Sequence, residues 1–324
     1  MTSTGGYRPL FDPRLEKQPF DQKRAYRLGD RGTSDSLPYV YDNDIVLAVN
    51  VALAAGRPLL VRGHPGTGKS TLARSVAERL GWRFYADTVS SRTSARDLLW
   101  TFDTVARLAD AQAVREGEPM PPRAAYLQPG VLWWAFDPDL ARRRGLDQSA
   151  GDLQPARDPA IVNPAAERAV VLIDEIDKAD PDVPNDLLVP LGSYQFRVTD
   201  GPRVVARRVP LIIVTTNEER ELPRAFLRRC VILGLRQPDP DRLDTIARAH
   251  FEDLTDPLLE AVRGEYLRLR AERIAQYEPP PSVAEFLDAL AACRGLGLDT
   301  GSAAFKELTG LLLAKMMTIQ PEER

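Results

Sequence analysis

Gly63-His64-Pro65-Gly66-Thr67-Gly68-Lys69-Ser70 is the stretch on which the fold turns. It follows the apolar run Pro58-Leu59-Leu60-Val61 and precedes a helical pattern from Ser70 to Leu80, stopped by Gly81. Strand, glycine-rich loop and helix together form a phosphate cradle. Glycines let the backbone come close, its N–H groups converge on the anion, and the helix points its positive end at the same place. The spacing G-x-x-x-x-G-K-[ST] brings Lys69 to the β- and γ-phosphates and the Ser70 hydroxyl to Mg²⁺. The candidate nucleotide-binding residues are Gly63, His64, Pro65, Gly66, Thr67, Gly68, Lys69, Ser70 and Thr71. His64 sits at a variable position of the loop and reads as a residue without chemistry.

Further along, Ala169 to Ile173 is a continuous apolar run, which suits a strand buried on both faces of a parallel sheet. It ends in Asp174-Glu175. Ligands of open α/β sheets sit at that end of the strands. Neighbouring strand residues point to opposite sides, so the two acids can do different work. Asp174 would join the Mg²⁺ shell and Glu175 would polarise a water for attack on the γ-phosphate. A metal-binding Asp alone would suit a kinase or a GTPase. The added Glu supplies what a hydrolase needs, and no N-K-x-D guanine reader occurs. A second apolar run, Leu211 to Val214, leads through two threonines to Asn217, whose amide can hold the attacking water or the γ-phosphate. Arg228 and Arg229 follow in Leu222-Pro223-Arg224-Ala225-Phe226-Leu227-Arg228-Arg229-Cys230. A planar guanidinium suits phosphate oxygens.

Composition narrows the rest. The 324 residues carry a net charge of -3, which disfavours a generally basic nucleic-acid binder. Two cysteines and two histidines supply neither a disulfide framework nor metal-ligand spacing. The N-terminus lacks the apolar core of a secretory signal, and no stretch is long and apolar enough to span a bilayer, so a cytoplasmic protein is expected. Residues 1–36 show no period and read as an arm that is flexible alone or lies on a neighbour. Residues 37–236 form the α/β nucleotide-binding domain, with inserts near 97–165 and 194–209. After Pro238 and Pro240 the pattern turns helical, giving an all-helical lid over 237–324. Trp133, Trp134 and Phe136 read as core rather than as a gripping set.

Five segments together resemble AAA+ ATPases, and within them the MoxR-like group. They are GHPGTGKS at 63–70, VVLIDEIDKAD at 170–180, VPLGSYQFRVTDG at 189–201, IIVTTNEER at 212–220 and LPRAFLRRC at 222–230. The last, with DLLW at 97–100 and QPGVLWWAF at 128–136, carries the MoxR-like likeness. The resemblance implies an AAA+ P-loop core with a parallel sheet between helices, ATP and Mg²⁺ as cofactors, and a hexameric ring. Arg229 matches the finger Arg that reaches a neighbour's γ-phosphate; Arg228 stands where an acid is usual. Lys178 matches a basic position that contacts nucleotide or a neighbouring subunit. The lid's usual G-x-S-P-R stretch reads Gly301-Ser302-Ala303-Ala304-Phe305-Lys306, so either Lys306 substitutes for the missing sensor Arg from two residues further on or lid sensing is weak.

The resemblance further implies a chaperone or remodelling machine with a protein client, such as a von Willebrand A domain protein. Its inserts would face a pore or partner, with Arg203, Arg207 and Arg208 either meeting an acidic client or simply solvated. The alternatives are a slow-hydrolysing switch or scaffold, and a DNA-handling AAA+ protein.

Overall fold

The computed structural model describes residues 9–13, 38–113, 120–146 and 155–314. Its strands are β1 (Leu59–Arg62), β2 (Arg83–Thr88), β3 (Trp100–Phe102), β4 (Leu127–Pro129), β5 (Ala169–Asp174), β6 (Gln195–Arg197), β7 (Arg203–Val205), β8 (Leu211–Thr216) and β9 (Val231–Gly234). Five of them form a parallel sheet in the order β2-β5-β8-β1-β9. The sheet is that of an AAA+ P-loop fold. All of β8 is buried, and so is β5 as far as Ile173. Their apolar runs therefore need no alternation, because both faces are covered. Val231-Ile232-Leu233-Gly234 was not foreseen as a strand. Only Leu233 in it is buried, so this edge strand leaves little pattern in the sequence.

Helix α1 (Asn43–Ala55) stops at Gly56, whose left-handed φ of 57° ends it without strain. Helix α2 (Lys69–Leu80) follows the phosphate loop. The loop-rich stretch after β2 holds α3 (Ala95–Leu99), α4 (Thr104–Ala113), α5 (Val131–Phe136) and α6 (Pro138–Arg142), with β3 and β4 paired antiparallel. The indole and phenyl rings of α5 are buried. Trp133 meets Phe196 edge-on at 6.0 Å and Phe136 meets Tyr194 at 6.1 Å. They form a wedge beneath the β6–β7 hairpin, and truncating either to Ala would cost about 3–5 kcal/mol. Arg207 closes the same contact from outside on Asp137 and Asp139. Then come α7 (Asp182–Asp186), α8 (Leu188–Ser193) and α9 (Arg224–Leu227).

Residues 9–13 are held rather than free. The buried Asn50 amide accepts the N–H groups of Leu10 and Phe11, at 2.6 and 2.8 Å, and donates to the Phe11 carbonyl at 2.6 Å. The rest of the expected arm, 1–8 and 14–36, lies outside the described residues.

The chain forms two compact units. The first holds the sheet, with residues 41–62 and 73–234. The second takes in residues 63–72 and the helical remainder from 235. That remainder is α10 (Pro240–His250), α11 (Asp256–Ala275), α12 (Val283–Gly295) and α13 (Ala303–Thr309). Its own core includes Leu243, Tyr266 and Phe286, with the last two rings 5.2 Å apart. The prolines at 279–281 separate α11 from α12, and a Ser282–Glu285 capping box opens α12. No helix among the described residues is long and apolar enough to cross a membrane.

Candidate functional site

The phosphate loop leaves the sheet where β1 ends. Gly63, Gly66 and Gly68 all take positive φ, at 152°, 73° and 87°. Side chains resist these angles, and space forbids two of them as well. A Cβ on Gly66 would lie 2.2 Å from the Ser282 Cβ, and one on Gly63 would lie 2.8 Å from the Leu235 carbonyl oxygen. Lys69 is only 6% exposed, and its ammonium donates to the carbonyls of Gly63 (2.7 Å) and His64 (2.9 Å). Thr67 Oγ1 donates to the His64 carbonyl at 2.8 Å. His64 and Pro65 are exposed, and Ser70 and Thr71 lie half-buried in the first turn of α2. Bare glycine backbone, a lysine folded over the loop and a hydroxyl at the helix start fit a phosphate chain. No cluster of three or more His, Cys, Asp or Glu that could hold a metal occurs among the described residues. A divalent ion here would depend on few protein ligands and on the phosphates, which is the habit of Mg²⁺.

The carboxyl ends of β5 and β8 form a second cluster. Because Ile173 pairs with Val214, Asp174 comes beside Thr215. The fully buried Thr215 hydroxyl donates to Asp174 Oδ1 and accepts the N–H of Glu175 at 2.9 Å. Glu175 itself is left-handed, with φ 59°. Such a conformation costs a non-glycine residue about 1–2 kcal/mol and persists where neighbours impose it. Both of its carboxylate oxygens are engaged. Asn217 Nδ2 donates to Oε1 at 3.2 Å and Lys178 Nζ to Oε2 at 2.7 Å. That bond to Glu175 is the first reason the Lys178 ammonium is held above its ordinary pKa. Asp177, 3% exposed, accepts the N–H groups of Asn217 and Glu219 on a single oxygen, each at 3.0 Å.

Sequence reasoning reached Asp174, Glu175, Asn217 and Lys178, and the structure brings all four together. It missed Thr215 and Asp177. Neither stands out in the sequence: Thr215 is an ordinary strand threonine, and Asp177 lies in the charged stretch 174–180.

The other expected residues lie elsewhere. Arg228 and Arg229 are both exposed just past α9; Arg229 donates to the Ala225 carbonyl at 3.2 Å. Lys306 is exposed on α13, where its charge helps Arg268 hold Glu265 below the usual carboxylate range. Within the second unit, Ser282 at the start of α12 lies against Gly66 of the loop. The three hairpin arginines each have a partner within the chain: Arg203 on Gln195, Arg207 on Asp137 and Asp139, and Arg208 on Glu167.

Comparison with known proteins adds a family. The family model "AAA domain (dynein-related subfamily)" matches residues 58–230, more than half of the chain. A curated relative, the aerobic cobaltochelatase subunit CobS of Sinorhizobium sp., is 32% identical over 118 residues, covering 36% of this chain and 32% of that protein. The chain thus matches about a third of that relative's length. Among solved structures, two variants of RuvB from Thermotoga maritima are similar. One is 16% identical with a TM-score of 0.43, over 82% of this chain and 66% of that one. The other is 15% identical with a TM-score of 0.46, over 84% and 69%.

Proposed function

The chain belongs to the AAA domain family, dynein-related subfamily, and from that premise we propose that it is a MoxR-like AAA+ ATPase that hydrolyses Mg²⁺-ATP to remodel a protein partner. The observation that carries this reading is the meeting of the Glu175 carboxylate with the Asn217 carboxamide at the carboxyl edge of the sheet. An acid paired with an amide at that edge suits a hydrolase that must orient a water.

Each residue then has one task. The backbone from Gly63 to Gly68 cradles the phosphates, and Lys69 turns from its loop carbonyls to the γ-phosphate. Ser70 and Asp174 would hold the ion, with the Thr215 hydroxyl fixing the rotamer of Asp174. Magnesium, when bound with ATP, neutralises phosphate charge and polarises the γ-phosphorus. Glu175 accepts the proton of the attacking water while Asn217 orients that water. Arg229 of an adjacent copy, with Arg228 beside it, stabilises the charge of the transition state, which makes hydrolysis a property of a ring.

The likeness to a cobaltochelatase subunit supports action on another protein of an assembly, a von Willebrand A domain protein being the class the resemblance suggests. A second reading is a slow-hydrolysing switch, which the Lys178–Glu175 ion pair favours. ATP turnover per protomer against protein concentration, with particle mass by light scattering, separates the two. The machine predicts ring-sized particles with ATP and turnover that climbs as they form. It also predicts that Arg229→Ala chains poison wild-type chains in mixtures. Concentration-independent turnover by monomers would overturn it.

A further inference from the structure

We propose that Asp177 is a positioning residue for hydrolysis: it sets the backbone of Asn217, and through Asn217 the carboxylate of Glu175. The inference rests on the reading of the chain as an ATP hydrolase. The β8 strand ends at Thr216, and the chain must turn there while presenting Asn217 toward β5. Glu218 takes a left-handed φ of 63°, and this turns the N–H groups on either side of it, those of Asn217 and Glu219, onto Asp177 Oδ2. Two converging N–H groups around a left-handed residue make a small anion nest, and here the anion is a side chain of the neighbouring strand's turn. Thr216 Oγ1 accepts the Glu218 N–H at 2.9 Å and completes it.

The same carboxylate lies two residues from Glu175, on the short 3-10 turn Ile176–Lys178. One buried acid therefore ties the turn that carries Asn217 to the turn that follows Glu175, and these are the two partners of the 3.2 Å contact. Its other oxygen, Oδ1, is buried with no partner among the described residues. A bare buried carboxylate oxygen is costly, so packing alone gives no reason for an acid at this position. Holding the turn does: a charged acceptor bonds two N–H groups more strongly than a neutral one. Without it, Asn217 would keep its chain but lose its aim, and misplacement by about 1 Å costs on the order of 100-fold in rate.

The test is a double-variant cycle on the full chain, with Asp177→Ala, Asn217→Ala and the pair together. Turnover, KM, affinity for a fluorescent ATP analogue and backbone amide exchange are read for each. Asp177→Ala is expected to lower kcat between about 10- and 100-fold and to leave nucleotide affinity within about twofold. The amides of Asn217 and Glu219 should exchange at least about tenfold faster. The double variant should be no slower than Asn217→Ala alone, because one residue acts through the other. Asp177→Asn keeps an acceptor without its charge and should recover part of the rate; Asp177→Ser, too short to bridge the two N–H groups, replaces Asp177→Ala in the cycle if that variant does not fold. Multiplying losses in the double variant, unchanged amide exchange, or a fall in nucleotide affinity as large as the fall in kcat would each overturn the assignment. An inactive wild-type chain would overturn the hydrolase reading itself, whereas an active one with an indifferent Asp177 would overturn only this inference.

Discussion

The ammonium of Lys178 sits 2.7 Å from Oε2 of Glu175, three residues before it in the chain. With Asn217 on Oε1, this leaves the carboxylate tied on both oxygens. A carboxylate held on both oxygens is less free to meet a water. The pair is 41% and 30% exposed, and ion pairs of that kind are worth about 0.2–1 kcal/mol. Removing the cation should therefore release Glu175 and raise basal ATP turnover by roughly two- to fivefold in Lys178→Ala, with melting unchanged. Steady-state phosphate release measures this, and a fall in turnover would show that Lys178 assists rather than restrains.

Glu175→Gln keeps the shape and the Asn217 contact but removes the proton acceptor. Loss of a general base costs about 100- to 10,000-fold. ATP binding should survive, because Glu175 has no part in the phosphate loop. Single-turnover hydrolysis beside equilibrium binding checks both halves.

His250 at the end of α10 carries a pH dependence. Burial pushes its imidazole down to about 4 from the ordinary 6.5, against a smaller opposing effect of a hydrogen bond with the Pro38 backbone. Its folded pKa lies below its unfolded one, so the unfolded chain takes up the proton first. The stability due to neutral His250 is whole above about pH 6.5 and is lost as pH falls toward 4, by up to about 3 kcal/mol. Denaturant unfolding from pH 7 to 4 should be less steep in pH for His250→Gln than for the wild type.

Asn50 holds Leu10 and Phe11 by three bonds from one amide, and it is 4% exposed. Asn50→Leu leaves buried N–H and C=O groups without partners, at about 1–3 kcal/mol. The melting temperature should drop by roughly 3–8 °C, and proteolysis near the N-terminus should quicken. ATP affinity should hold, since Asn50 lies on α1 and not on the phosphate loop.

The central sheet was legible because its inner strands are buried on both faces, and an unbroken apolar run such as Val170 to Ile173 can hardly be read otherwise. The loop at 63–70 was legible because phosphate binding fixes residue type and spacing together. The edge strand at Val231 was not, being short and half exposed. The clasp of Thr215 and Asp177 was hidden for another reason. A threonine in a strand and an aspartate in a turn are ordinary locally, and only the pairing of Ile173 with Val214 brings their partners near. Lys178 was visible as a basic residue, but its attachment to Glu175 depends on the left-handed φ of Glu175, which sequence does not announce. The start of α12 against Gly66 was likewise invisible, because prolines at 279–281 marked a break and not what the next helix would touch.

The most direct test is the Mg²⁺-dependent ATP turnover of the purified chain beside Lys69→Ala. The account predicts measurable hydrolysis that vanishes when the ion is chelated and falls below about one hundredth in the variant. Equal turnover by both proteins, or no ATP bound and none cleaved by the wild type, would contradict it.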